Sequence, residues 1–591
     1  MRVVFGEGGV PVRVVATAGH VDHGKSTLVR TLTGIDPDRW PEEKARGLTI
    51  DLGFAATTLP SGREVAFVDV PGHSRFVRNM LAGVGSVDAC LFVVAATEGW
   101  KEQSEEHLRI LELLGISHGL VALTKVGLVD EEWADLVAMD VEDHLAGTFL
   151  AGAETIKVDV PARRGGDELR SALDRLVDRV PASADLGRPR LWVDRSFAVR
   201  GSGTVVTGTL TGGSFAVEDE AVVLPGHHSS RVRSLQSHYS TLARATPGRR
   251  LAVNLNGISH HQVRRGQALV KPDQWYLTKC FDASLTVLAT IDHPVERRGA
   301  YTVYAGSGEW PVKMRVLGAL RVEPGEAATV RFWVRDRGGV PLVPGDRYVL
   351  REAGRFETVG GGEVLDVEPV LPAARARPSR SIDRLVRERG WVEASHLELI
   401  SGERVEPTLG RWVIDPEALA SARAALSQRC VEAGSAGVDL ALLDERERAV
   451  LRAGVEGMVL QEGRAVSEDL AERGMSVEAR RVLAELETAR WTPPALPLSD
   501  RAALRELERS GLAVEAGETW FARSAVDAAI AVLRSLLEGR PEGFTVSEAR
   551  DALASSRKHA LPLLAYLDST GVTRRRGDLR VAGPRMAGRS S

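Results

Sequence analysis

Residues Gly19-His20-Val21-Asp22-His23-Gly24-Lys25-Ser26 place two glycines, a lysine and a hydroxyl at the spacing G-x-x-x-x-G-K-[ST], after an apolar run and before STLVRTLTG. That pattern binds phosphate. Glycines let backbone N–H groups close around the oxygens, a lysine balances the β/γ charge, and a hydroxyl can ligate Mg²⁺. Gly19, Asp22, His23, Gly24, Lys25, Ser26 and Thr27 are therefore the candidate phosphate contacts. Farther along, VAFVDVPGHSRF ends a second apolar run with Asp69, followed by Gly72 and His73. An acidic residue there can hold Mg²⁺ through water, and a glycine offers its amide to a γ-phosphate with no side chain in the way. An imidazole beside it can orient the attacking water, and such positioning carries most of phosphoryl-transfer catalysis. Between the motifs, Thr49 of EEKARGLTIDLGF can join the Mg²⁺ shell once a γ-phosphate orders its segment, which would make it a switch. The candidate metal set is Ser26, Thr49 and Asp69; the candidate catalytic pair is His73 with Gly72.

Such residues need a sheet to hold them. From Val12 to about Pro181, short apolar runs (VRVVATAG, REVAFVDV, ACLFVVAA, HGLVALT) alternate with helical patterns such as EQSEEHLRILELLG, which predicts βαβ units around a mostly parallel sheet. From about Arg188 to Val367 the runs become short and β-rich, as in GTVVTGTL, RRLAVNL and DRYVLRE, and predict two small β-barrels. VEPVLPAARARPSRS reads as a linker. Beyond it, helical Ala/Leu/Glu/Arg sequence is interrupted by GMVLQEGRAV, GLAVEAGETW and GVTRRRGDLR, which begin at Gly457, Gly511 and Gly571 and carry second glycines at 463, 517 and 577. A small hairpin recurring after helices is the wing of a winged helix-turn-helix.

The totals fit several soluble domains. A chain of 591 residues exceeds one core, and a net charge of −4 leaves any basic surface local. Cys90, Cys280 and Cys430 are far apart with no metal-ligand spacing, as expected of reduced thiols. The start lacks a long uncharged h-region and no run reaches the ~18 apolar residues of a membrane helix, so the expected location is cytoplasmic, with no membrane partner.

HVDHGKSTL, RGLTI and DVPGH, followed by barrel sequence, resemble the translational GTPases that deliver aminoacyl-tRNA. TGIDPDRWPEEKARGLTIDLGFA, DVPGHSRFVRNMLAGVG, LWVDRSFAVRGSGTVVTGTL, GDRYVLRE and TVGGGEVLD narrow the resemblance to the bacterial selenocysteine-specific elongation factors. It implies a multidomain chain: an α/β P-loop GTPase domain (11–186), two β-barrel domains (187–272, contacting aminoacyl-tRNA, and 273–372) and a C-terminal α+β array of four winged helices (373–591). It further implies GTP/GDP and Mg²⁺ as cofactors, and selenocysteyl-tRNA, an mRNA selenocysteine insertion hairpin and the ribosome as partners of a monomer. Val21 and Ile50 stand where that class places an apolar gate beside His73. Asp194, Arg195 and Arg250 match positions the family uses for the selenocysteyl end. A selenol is largely ionised at neutral pH whereas a cysteine thiol (pKa about 8.5) is not, so a cationic pocket can separate them by charge. Without the resemblance, Asp194-Arg195 reads equally well as an ordinary ion pair. Arg557 and Lys558, at the start of the last recognition helix, and Arg574, Arg575 and Arg576 in its wing make the candidate mRNA surface.

Two loops depart from the family. In LVALTKVGLVDEE, Thr124 and Lys125 stand at the base-reading loop, but Gly127 occupies the place of the aspartate that reads guanine; losing it should weaken base discrimination by about 2–4 kcal/mol. Asp130 lies three residues on, and its stronger expectation is to cap the following helix. In VDVPARRGGDEL, the family's Ser-Ala pair is replaced by Asp159-Val160 or by Pro161-Ala162, depending on a gap. The leading reading is an active GTPase carrying selenocysteyl-tRNA. The alternative is an inactive or relaxed-specificity paralogue that binds RNA, with nucleotide as a structural ligand. A DNA-binding regulator with an NTPase head would leave DVPGH and the barrels unexplained.

Overall fold

A computed structural model describes residues 12–587 other than 38–48, 50, 74–75, 85–86, 202, 238–239, 337, 435–436, 462, 469–474, 539 and 541. Ile50, the second expected gate residue, lies outside the described residues. The chain forms two compact units, Met1–Arg380 with Leu399–Gly402, and Ser381–Glu398 with Glu403–Ser591.

In the first unit the apolar runs become strands β1 (Arg13–Ala18), β2 (Gly53–Thr58), β3 (Glu64–Asp69), β4 (Ala89–Ala95), β5 (Gly119–Thr124) and β6 (Thr155–Lys157), in the order β2-β3-β1-β4-β5-β6. All neighbours are parallel except β2, which runs antiparallel to β3 at the edge. The inner strands read as continuous apolar runs because helices cover both faces: Val14, Ala16, Phe92 and Leu123 belong to one core, and Val15, Phe67, Leu91 and Ala122 to the other. The helices are α1 (Lys25–Thr33), α2 (Val77–Val84), α3 (Glu102–Leu113), α4 (Glu131–Leu145) and α5 (Gly166–Arg179). Since β3 and β4 flank β1 on opposite sides, the connections that leave β1 and β3 run to opposite sides and open a crevice at the strands' carboxyl ends, where such sheets bind ligands.

Two barrels follow. The first closes through strands Arg190–Trp192, Gly203–Thr211, Glu220–Leu224, His228–Ser237, Arg250–Asn256 and Ala268–Val270 around Leu191, Val206, Phe215, Val232, Val253 and Leu269. The second closes six strands between Cys280 and Asp366, with Phe281, Phe332 and Tyr348 inside. Arg190 of the first barrel donates to Asp346 (2.7 Å) and to the Pro341 carbonyl (3.0 Å) of the second. Arg351 of the second barrel reaches Glu106 on α3 (3.0 Å).

The second unit repeats helices with hairpins: Trp391–Glu393 with Trp412–Ile414, Met458–Gln461 with Arg464–Ser467, Ala513–Ala516 with Thr519–Ala522, and Thr573–Arg576 with Leu579–Ala582. The glycine pairs that mark the last three all have positive φ: 71° and 78° (Gly457, Gly463), 70° and 62° (Gly511, Gly517), 74° and 65° (Gly571, Gly577). The second glycine of each pair turns the hairpin, and Gly511 and Gly571 also take the chain out of the preceding helix, in a conformation that a Cβ disfavours. The first hairpin escapes the pattern because a helix, Ala394–Ser401, separates its strands. No described helix is long and apolar enough to cross a membrane, and the three cysteines are free thiols.

Candidate active site

The loop between β1 and α1 owes its shape to two glycines. Gly19 has φ 123°, and a Cβ there would lie 2.1 Å from the Val93 carbonyl; Gly24 takes φ 86° and starts α1. The Gly19 amide donates to His107 Nδ1 (3.1 Å). That bond requires an unprotonated ring nitrogen, and burial lowers the His107 pKa to about 3, so the ring is a neutral acceptor. Gly19 thus shapes the loop, with its amide committed to α3. Burial likewise lowers His23 to about 4. Its ring turns inward, 3.3 Å from the Val93 carbonyl, so only its backbone can meet a phosphate. Asp22 and Thr27 are exposed. The buried Lys25 donates from Nζ to the Gly19 (3.1 Å) and His20 (2.6 Å) carbonyls, which holds the ammonium over the loop.

Ser26, Thr49 and Asp69 converge although they come from three separate segments. Ser26 Oγ lies 2.8 Å from Thr49 Oγ1 and donates to Asp69 Oδ2 (2.6 Å). Thr17 of β1 fixes the carboxylate by donating to Oδ1 (2.7 Å), while its hydroxyl accepts the Val70 amide (3.1 Å). Two hydroxyls and a carboxylate make a hard oxygen set suited to Mg²⁺. Beside it, a Cβ on Gly72 would meet Lys25 Nζ at 2.4 Å and the Val21 amide nitrogen at 2.7 Å, so the DVPGH loop closes directly onto the phosphate loop. His73 follows, half-buried, its ring 5.9 Å from that of Phe76. Val21 and His73 therefore flank the same crevice. Thr17 and His107 carry no motif of their own; only their places opposite Asp69 and Gly19 reveal them.

The loop expected to read the base follows β5. Thr124 Oγ1 donates to the His23 carbonyl (2.6 Å), so Thr124 fastens this loop to the phosphate loop and does not face a base. Lys125 adopts φ 58° and its Nζ lies 3.3 Å from Glu98. Asp130 Oδ1 accepts the Trp133 amide (2.7 Å) as the cap of α4 and is thereby occupied.

Asp194, Arg195 and Arg250 also come together. Arg250 grips Asp194 with both terminal nitrogens, and Thr207 donates to the same carboxylate (2.7 Å). Burial alone would raise the Asp194 pKa, but Arg250, Thr207 and Arg195 outweigh it and hold the carboxyl below its ordinary value. Arg195 turns to the segment after Thr49, donating to Asp51 (3.2 Å) and the Leu52 carbonyl, and Phe54 lies against both guanidiniums. Arg195 is thus tied by hydrogen bonds to the residues that follow the candidate switch, and Arg250 meets them only through the Phe54 ring. In the last hairpin Arg574, Arg575 and Arg576 are exposed, as are Arg557 and Lys558 at the start of the helix Arg557–Ser569. Asp568 of that helix accepts from Thr573 (2.6 Å) and Arg580 (2.9 Å), which locks the wing to the helix and leaves the other arginines outward.

Comparison with known proteins agrees with this layout. A model of the elongation factor Tu GTP binding domain matches residues 10–188, and a model of the elongation factor SelB winged helix matches 535–582. A selenocysteine-specific elongation factor of Desulfomicrobium baculatum is 33% identical over 631 residues, spanning 96% of this chain and 99% of its own. That of Escherichia coli (strain K12) is 37% identical over 364 residues, 60% of this chain and 56% of its own. The crystal structure of a bacterial selenocysteine-specific elongation factor superposes with a TM-score of 0.67 at 26% identity, covering 96% of this chain and 99% of the other. The factor of Methanococcus maripaludis, in complex with the GTP analogue GppNHp, gives 0.54 at 25% identity over 61% and 80%. Nothing in these similarities supports the inactive RNA-binding alternative.

Proposed function

The chain belongs to the selenocysteine-specific elongation factors and is a translational GTPase, and from that premise we propose that it carries selenocysteyl-tRNA to the ribosome at UGA codons marked by an insertion hairpin in mRNA. The observation that carries this reading is the meeting of Ser26, Thr49 and Asp69 beside a phosphate loop onto which Gly72 closes. Lys25 and the loop amides hold the phosphates, and the Gly72 amide faces the γ-phosphate. Ser26 and Thr49, with Asp69 behind them, would hold Mg²⁺, which supplies neutralisation of the β/γ charge when bound. His73 orients the water that attacks the γ-phosphorus as the bond to the β-phosphate oxygen breaks; with Val21 it forms the edge of the crevice. Thr49 already reaches Ser26, so a γ-phosphate and Mg²⁺ that engage its hydroxyl would order the segment that Arg195 grips through Asp51, and their loss would release it.

The barrel contacts give the aminoacyl pocket its logic. Arg250 is neutralised by Asp194, whereas Arg195 is held by the residues after Thr49, so Arg195 is the cation whose availability to a selenolate follows the nucleotide state. The functional division follows the sequence: 11–186 hydrolyses GTP, 187–272 meets the aminoacyl end, 273–372 supports it, and 373–591 reads the hairpin through Arg557, Lys558, Arg574 and Arg575. The test is GTP-dependent protection of selenocysteyl-tRNA against ester hydrolysis. Protection of selenocysteyl-tRNA over seryl-tRNA is expected, and equal protection of the two refutes the carrier reading.

A further inference from the structure

Position 127 lacks the side chain that would read guanine, yet the space it would occupy is filled. An ideal Cβ on Gly127 would lie 1.8 Å from Asp159 Oδ2 and 2.7 Å from its Cγ. That is little more than one covalent bond, about 1.5 Å. The carboxylate of Asp159 therefore stands at the root of the missing side chain, and the two cannot coexist in this arrangement.

The sheet brings it there. β6 runs parallel to β5 with Leu123 opposite Lys157, and the Val158 amide donates to the Leu123 carbonyl (2.8 Å). Asp159 consequently leaves the sheet level with Lys125, at the mouth of the base loop. The connection after it is stiff: Asp159 and Arg164 exchange backbone hydrogen bonds (3.0 and 2.9 Å), and the Ala162 amide approaches Oδ1 (3.4 Å). Oδ2 is left directed at Gly127. Among the described residues no cation lies within ion-pair distance of this carboxylate. Of the other acids near the loop, Asp130 is occupied as a helix cap and Glu98 pairs with Lys125.

We propose that Asp159 is the guanine-reading residue of this site, and that Gly127 is glycine because the Asp159 carboxylate needs its space. This rests on the nucleotide reading above and deepens it. Guanine presents N1–H and the 2-amino group as adjacent donors, and a carboxylate accepts from both; adenine presents a lone pair at N1 and no 2-amino group, so the same carboxylate repels it. The acid has moved from one base loop to its neighbour across the parallel pair, and the chain has kept its selectivity.

The test is equilibrium binding of GDP, IDP, XDP and ADP to the full chain and to four variants. Wild type should prefer GDP to IDP, which lacks the 2-amino group, by about 10- to 150-fold. Asp159→Asn, which keeps the shape, should lose most of that ratio and gain XDP affinity, because an amide N–H can donate to xanthine's 2-oxo group. Asp159→Ala should lose the ratio without gaining XDP. Gly127→Asp alone should weaken GDP, since two carboxylates then compete for one place, and Gly127→Asp with Asp159→Ala should recover the preference. An unchanged GDP:IDP:XDP ratio in Asp159→Asn, with wild type still selecting GDP, overturns this inference alone. So does tighter GDP binding by Gly127→Asp with Asp159 intact. ADP bound by wild type as tightly as GDP overturns it together with the GTP reading.

Discussion

Replacing Gly72 by alanine isolates the contact between the DVPGH loop and the phosphate loop. The added Cβ would sit 2.4 Å from Lys25 Nζ and 2.7 Å from the Val21 amide nitrogen, where ordinary contact begins at 3.4 Å. Lys25 can move its flexible end, but Val21 N is backbone in a loop fixed by Gly19–His107 and Thr124–His23 hydrogen bonds. The relief must therefore come from Gly72, whose loop retreats and withdraws its amide. Overpacking of this kind costs about 1–3 kcal/mol, a factor of about 5 to 150 in affinity. The cost falls on ligands that need Gly72 in place. Titration of a fluorescent GTP analogue against its GDP counterpart should thus show Gly72→Ala losing GTP affinity by that factor while GDP changes by less than about threefold. Equal losses for both nucleotides, or no loss for either, would refute the assignment of Gly72 to the γ-phosphate.

Other outcomes follow from the same geometry. Thr124→Val leaves the buried His23 carbonyl without its donor and should weaken GTP and GDP alike, by about 1–3 kcal/mol, with the GDP:IDP ratio unchanged in the same titrations. His73→Ala should lower the GTP turnover number by about 10²- to 10⁴-fold in a phosphate-release assay while nucleotide affinity stays near that of wild type. Burial holds His23 and His107 neutral to about pH 4 and about pH 3, whereas both protonate near 6.5 once unfolded. Their stabilisation is complete above pH 6.5 and is lost on acidification towards 4, by about 1.4 kcal/mol per unit for each ring, and urea midpoints for wild type and His107→Gln should diverge over that window. Arg574→Ala with Arg575→Ala should weaken RNA-hairpin binding and make the slope of log K against log salt shallower by about 0.7 for each phosphate that is no longer neutralised.

What the sequence alone decided was whatever is local in the chain. The phosphate loop is legible because its glycines, Lys25 and Ser26 are contiguous and their spacing is the chemistry. The inner strands are legible because burial on both faces demands unbroken apolar runs, and three of the wings because each needs two positive-φ glycines six residues apart. β2, a half-exposed edge strand, and the three-residue β6 leave weaker signals, and the first wing hides its pairing behind a helix. The tertiary structure decided which distant residues meet. Thr17 reaches Asp69 because β1 and β3 are parallel neighbours, His107 reaches Gly19 because α3 packs beside the loop, and Arg195 reaches Asp51 across a domain boundary. Gly127 looked in the sequence like a lost aspartate, with Asp130 the nearest substitute. The parallel register of β5 and β6 instead brings the carboxylate of Asp159, thirty-two positions away in sequence, to 1.8 Å from where a Cβ on Gly127 would lie. Linear spacing cannot encode that meeting, because strand register is set by the packing of the whole sheet.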